Sequence, residues 1–155
     1  MVLKKLENSP FKPGDYHHVG VVVRDIEKTI EYLEALGIGT FGMPDGSLYI
    51  EESFEGKLHG RTVEWKLRIS YARVGDTELE LLEPCGGESA LQEFLDSRGE
   101  GLHHIGYLVD DVPAEISKLT QQGIEVLTSG AGEKASFAYF ETGAVGGIII
   151  EVRSR

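Results

Sequence analysis

The sequence predicts an α+β fold of two tandem βαβββ modules, and three observations carry that expectation. The chain repeats itself: His17-His18-Val19-Gly20 recurs as His103-His104-Ile105-Gly106, an offset of 86 residues. Held at that offset without a gap, residues 17–38 match residues 103–124 at nine of 22 positions, where unrelated segments of average composition would match at roughly one or two. Each copy opens with a β-branched run followed by an apolar stripe of helical period, and each ends on a strand carrying a glutamate, Glu80 in the first and Glu151 in the second. An internal period of this kind is a property of the architecture, so it is read before any single element.

The first elements of both modules share their signals. HHVGVVV and HHIGYLV read as short strands. Asp25 and Asp111 follow as N-caps, since a short side-chain oxygen can accept the unpaired first-turn N–H groups of a helix. Ile26, Ile30 and Leu33 then form a stripe at i, i+4, i+7, matched by Val112, Ile116 and Leu119. Pro113 falls in the first turn, where its missing N–H costs no intrahelical bond. Gly37 and Gly123 end the two helices at the position that favours a left-handed residue.

Three more strands complete the first module: Ser47–Glu52, Val63–Arg73 and Thr77–Glu83. The middle one alternates, with Val63, Trp65, Leu67, Ile69 and Tyr71 on one face and Glu64, Lys66, Arg68 and Ser70 on the other. The second module continues through Ile124–Leu127, Ala135–Thr142 and Ile148–Arg153. The expected organisation is a single domain over 1–155, with module 1 at 16–84, a linker at 85–101 bearing a short helix near Ser89–Ser97, and module 2 at 102–153.

Bulk properties exclude several classes of function. The composition, 41% hydrophobic and 26% charged, is that of a globular domain large enough to bury a core. A net charge of −11 with no long basic run opposes binding to nucleic acid or an anionic membrane. It leaves room for an anionic small molecule in a locally basic cleft. No apolar run approaches the ~20 residues of a membrane span, and Met1 to Tyr16 lacks the apolar stretch of a signal peptide. The lone Cys85 suits a reducing compartment, so a cytoplasmic location is expected.

Strand parity gathers the candidate site. His18 shares a face with Gly20 and Val22, and Glu80 shares one with Glu78 and Leu82. Glu151 stands in a run of Ile148, Ile149, Ile150 and Val152, where a carboxylate is costly unless paired or bound to a metal. Two imidazoles and two carboxylates, His18, Glu80, His104 and Glu151, suit one divalent ion of zinc, cobalt, nickel or manganese. His17 and His103, pointing opposite to their neighbours by parity, are expected to pack or to buttress the ligands, and His59 to lie on the surface.

The repeated H-H-V/I-G-x-x-V-x-D, the segment Glu78-Leu79-Glu80-Leu81-Leu82-Glu83-Pro84 and the run Gly99-Glu100-Gly101-Leu102-His103-His104 resemble the vicinal-oxygen-chelate superfamily, which holds glyoxalase I, methylmalonyl-CoA epimerase, extradiol dioxygenases and bleomycin-resistance proteins. The resemblance runs from about Tyr16 to Val152 and looks nearest to the epimerase branch. It implies a glyoxalase-like half-open barrel with the metal inside, held by His18, Glu80, His104 and Glu151, and frequently a homodimer. It also implies abstraction of a proton α to a carbonyl or thioester, on an acyl-CoA or thiol adduct, with Glu151 and Glu52 as acid/base candidates; Lys66 and Arg68 are candidates to hold a substrate carboxylate or phosphate, the alternative for that pair being a solvated strand face. Glu80 stands where several epimerases have glutamine and gives the His/Glu/His/Glu set of bacterial glyoxalase I, so a lactoylglutathione lyase is the rival activity. A non-catalytic binding protein would have no use for the retained quartet.

Overall fold

The structure, a computed structural model, describes residues 4–155; Met1–Leu3 of the N-terminal stretch lie outside it. Module 1 consists of β1 (Tyr16–Val22), α1 (Ile26–Ala35), β2 (Ile50–Leu58), β3 (Arg61–Val74) and β4 (Thr77–Gly87). A connecting helix α2 (Ala90–Arg98) leads to β5 (Gly101–Val109), α3 (Val112–Gln121), β6 (Val126–Ala131), β7 (Ser136–Phe140) and β8 (Ile149–Ser154). Among the described residues no helix is long and apolar enough to cross a membrane.

The helix signals act as read. Asp25 accepts from the Lys28 N–H at 3.1 Å and Asp111 from the Ala114 N–H at 3.0 Å, while Gly37 and Gly123 take left-handed φ of 91° and 90°. α1 covers the outside of its module through Ile26 and Ile30, packed with Phe41, Ala72 and Leu81. α3 does the same through Val112 and Leu119 against Val109, Phe140 and Val152. The opposite faces of the strands, with Val22, Trp65, Leu67, Ile69, Leu82, Phe137 and Tyr139, form the interior.

The eight strands close into a ring in the order β1-β4-β3-β2-β6-β7-β8-β5. One seam between the modules, antiparallel β1–β5, carries the repeated histidines. The other, β2–β6, accounts for the closing of an expected half-open barrel. It is only four residue pairs long, Glu55–Leu58 against Thr128–Ala131, so the ring parts over the first half of β2. At this seam Gly56 faces Gly130, and a Cβ on Gly56 would come within 2.0 Å of the Ser129 carbonyl. A backbone can approach this closely only where the side chain is missing.

The boundary differences have the same origin. The segment between the expected second and third strands, which is rich in glycine, is the end of β2 and a two-residue hairpin, His59-Gly60, with φ of 49° and 79°. Positive φ at both positions matches the twist of the strands it joins. The first of these strands therefore runs to Leu58 instead of ending at Glu52. β6 likewise continues past Leu127 through small and polar residues, because its partner is β2 and not a core. β4 runs through Pro84 to Gly87, its pairing with β3 skipping Cys85 in a bulge, which is where a strand tolerates proline.

Candidate metal centre

β1 and β5 lie antiparallel at the middle of the ring, with His18 opposite Gly106 and Gly20 opposite His104. Each imidazole lies over the other module's glycine. A Cβ on Gly20 would stand 2.1 Å from the His104 ring, and one on Gly106 would stand 2.1 Å from the His18 ring. The repeated H-H-x-G is thus a reciprocal packing device: each module supplies a ligand and the gap for its partner's. Gly106→Ala is expected to push the His18 ring aside and lower metal affinity by at least the ~10–100-fold seen when a ligand's support is lost. Metal titration of the folded variant reads this directly.

The doubled histidines need a correction. Parity places His17 and His103 on the far face from their neighbours. Instead, the β1–β5 pairing skips one residue at His17 and one at His103. The extra residue of a bulge re-aims its side chain. His17 Nδ1 therefore lies 2.9 Å from His18 Nδ1, and His103 Nδ1 lies 2.9 Å from His104 Nδ1. For His18 and His104 to present a lone pair on Nε2, their Nδ1–H groups must donate to these neighbours, which fixes tautomer and ring plane. Burial, with the adjacent His104 adding to it, drives the His103 pKa down to about 3, so it stays neutral and can accept. Phe94 and Tyr139 hold its ring, with centroids at 4.9 and 5.3 Å.

The carboxylates arrive from the strands parallel to β1 and β5, Glu80 on β4 and Glu151 on β8. The Nε2 atoms of His18 and His104 are 3.1 Å apart. Glu151 Oε2 is 2.8 and 2.9 Å from them, and Glu80 Oε1 is 3.5 Å from both. One ligand atom from each of the four buried residues lies within 4.8 Å of all the others. Four donors so spaced suit a single ion at ~2.0–2.2 Å from each, and two carboxylates cancel a divalent charge. The residues fit the metal.

Without an ion the site holds protons. Burial alone would lower the His104 pKa, but Glu151 and Glu80 outweigh it and raise it to about 9; His18 is raised by the same competition. Glu151 is lowered despite burial, because the two histidines lie against it. A metal must displace these protons. Calorimetric titration near pH 7.5 in buffers of different ionisation enthalpy is expected to show release of one proton or more per metal. The sign for stability follows from the same shifts. A raised histidine stabilises the metal-free fold below its unfolded value of 6.5, and for His104 that contribution is lost as pH rises through about 9. His103 opposes this on the acid side, since below 6.5 the unfolded chain takes up a proton that the folded chain refuses until about 3. The melting temperature of metal-free protein is therefore expected to fall from near pH 6.5 towards pH 9, while metal-loaded protein keeps its own. Parallel alkaline declines would contradict this.

Glu80 and Glu151 line a cavity with Glu52, Phe54, Leu67, Tyr71, Lys134 and Arg153, of about 90 Å³ accessible to water, while His18 and His104 are fully buried. Glu52 points inward from β2, and its Oε1 accepts the Glu133 N–H at 3.0 Å. Tyr71 donates its hydroxyl to Glu80 Oε2 and accepts from Arg153 Nη1 at 3.0 Å. Burial and the Glu80 charge hold the Tyr71 phenol well above its usual pKa, so it remains a donor. Tyr139 lies against the His104 ring, with centroids 4.7 Å apart.

Lys66 and Arg68 are placed elsewhere. Trp65, Leu67 and Ile69 take the inner face of β3, so the alternate residues are outside. Arg68 pairs there with Glu83 at 3.2 Å and Glu51 at 3.6 Å, while Lys66 is exposed beside Cys85 and Gly86. Neither lines the cavity holding the quartet. His59 is exposed at the hairpin tip and pairs with Glu93 of α2. Arg153, Tyr71 and Lys134 are among the polar groups of the cavity that sequence reasoning missed, and the parity Arg153 shares with Glu151 is the signal that finds Arg153.

Fold and site together define a class: a duplicated βαβββ ring with a buried His/Glu/His/Glu cluster inside. The sequence profile of the glyoxalase/bleomycin resistance protein/dioxygenase superfamily matches residues 17–140, and the chain belongs to that superfamily. Relatives include an ethylmalonyl-CoA/methylmalonyl-CoA epimerase of Cereibacter sphaeroides, 32% identical over 76% of this chain and 77% of its own. An uncharacterized protein of Bacillus subtilis is 29% identical over 77% of this chain and 89% of its own. Among solved structures, a methylmalonyl-CoA epimerase from Mycobacterium tuberculosis superposes with a TM-score of 0.60 at 23% identity, covering 90% of this chain and 87% of that one, a likeness of fold.

Proposed function

We propose that the protein is a divalent-metal-dependent enzyme that moves the proton α to a thioester carbonyl, an epimerase of small branched acyl-CoA substrates of the methylmalonyl type. The observation that carries this is the convergence of His18, Glu80, His104 and Glu151 on one point, with Glu80 and Glu151 opening onto a cavity that also holds Glu52. The epimerase relatives supply the substrate class. The cavity has room for a few waters, which suits an acyl head and leaves its carrier outside.

A divalent ion held by the quartet would supply Lewis-acid stabilisation of negative charge developing on the substrate carbonyl oxygen. The chain supplies the rest. His17 and His103 fix the ligand imidazoles, and Tyr71 holds the outer oxygen of Glu80. Glu52 takes the α proton as general base and passes it to solvent, and Glu151, its carboxylate off the ion and protonated from solvent, would deliver a proton to the other face of the planar carbon. Phe54, Leu67, Ile69 and Phe137 keep water from the reacting centre.

Metal-loaded protein incubated with methylmalonyl-CoA in heavy water is expected to exchange the α hydrogen, and chelation to stop it. No exchange at full metal occupancy would remove the epimerase reading. Glu80, in place of glutamine, favours glyoxalase chemistry as the second reading. Turnover of the glutathione hemithioacetal of methylglyoxal, in preference to methylmalonyl-CoA, would establish it.

A further inference from the structure

Arg153 stands out among the strand arginines of this acidic chain. Arg61, Arg68 and Arg73 each contact a carboxylate, at 3.0, 3.2 and 2.8 Å, Arg61 and Arg73 at the exposed ends of β3 and Arg68 on its outer face. Arg153 points inward, sharing the parity of Glu151 while Val152 between them packs under α3. Its side chain is 27% exposed and its nearest carboxylate is Glu80, at 4.0 Å. Among the described residues its one side-chain hydrogen bond is to the Tyr71 hydroxyl, so most of its five N–H donors are unused. Tyr71 donates onward to Glu80 and accepts from Arg153, and so fixes where the guanidinium sits.

A divalent ion held by the quartet would neutralise Glu80 and Glu151 together. The cavity then retains Arg153 and Lys134 against Glu52, an excess of one positive charge beside an apolar wall of Leu67, Ile69 and Leu82. A partly buried cation without a counter-ion is costly, and a guanidinium is shaped to take a carboxylate with two parallel hydrogen bonds.

We propose that Arg153, oriented by Tyr71, anchors a free carboxylate on the acyl group, so that the cavity selects dicarboxylic half-thioesters over neutral acyl thioesters. This rests on the metal-enzyme reading above and adds the residue that sets its substrate class. The test measures α-hydrogen exchange of methylmalonyl-CoA and of propionyl-CoA, which lacks the carboxylate, in the parent protein, Arg153→Met and Arg153→Lys. Metal content and calorimetric binding of malonate to each metal-loaded protein accompany it. The expected result for Arg153→Met is full metal content with roughly a 10- to 100-fold fall both in malonate affinity and in the kcat/KM ratio of methylmalonyl-CoA over propionyl-CoA, the loss typical of a hydrogen bond to charge. Arg153→Lys is expected to restore part of both. An unchanged ratio and unchanged malonate affinity would overturn the anchor and leave the epimerase reading standing. Loss of metal in both variants would overturn it too, making Arg153 a support for Glu80. Malonate binding that depends on Arg153, with no exchange by the parent protein, would keep the anchor and sink the epimerase.

Discussion

Glu151→Gln is expected to leave a folded protein that retains almost no metal through dialysis and exchanges α hydrogens no faster than metal-free parent protein. The carboxylate sits between the two ligand imidazoles, 2.8 and 2.9 Å from their Nε2 atoms. Glutamine keeps its shape and removes its charge. An ion in the quartet would then meet one negative charge instead of two in a buried site, where an uncompensated charge is poorly tolerated. The loss should exceed the ~10–100-fold that follows from removing a supporting group. The metal-free variant should also differ in its protons. Glu151 is the first of the groups that raise His104 against burial, so without it the imidazole should titrate below its value of about 9. Metal analysis after dialysis and imidazole titration by NMR read the two consequences separately. A variant that keeps stoichiometric metal would show that Glu151 is not a ligand.

The quartet was legible because the chain writes it twice. A lone strand histidine says little, but the same His and Glu at corresponding places in two modules, all of inward parity, restrict the geometry to one meeting point. Parity also explains what was not legible. It assumes one residue per pleat, so it cannot register the bulges that turn His17 and His103 towards their neighbours. Gly20 and Gly106 are visible as a repeated motif, yet their purpose is contact with the other module, which no local pattern encodes. The closing of the ring at Gly56 and Gly130 escaped for the same reason, since both lie in stretches whose composition signals a loop. For Lys66 and Arg68 the parity of their own strand decides between cavity and solvated face, since its apolar residues claim the interior. Followed consistently, the rule that places Glu151 in the cavity places Arg153 there as well.

Glu52→Gln separates the base from the metal. Glu52 lies on the inner face of β2, outside the four-residue cluster, and is tied to the β6–β7 turn by the Glu133 N–H. The glutamine carbonyl can accept that hydrogen bond, and the cavity wall should remain in place. The expected result is unchanged metal stoichiometry and melting temperature, with epimerisation slowed by about 10²–10⁴-fold, the usual contribution of a positioned general base. The stereochemical outcome is more informative than the rate. Inverting the α carbon requires proton delivery to one face and removal from the other. If Glu52 serves one face and Glu151 the other, the variant should still wash the α hydrogen out of a single epimer into heavy water while interconverting the two far more slowly. Chiral analysis of methylmalonyl-CoA alongside deuterium content distinguishes the cases. Equal loss of washout from both epimers would mean that Glu52 works on both faces and leave Glu151 as a ligand alone. A rate within a few-fold of the parent would remove Glu52 from the chemistry and return the search to the groups that touch the quartet.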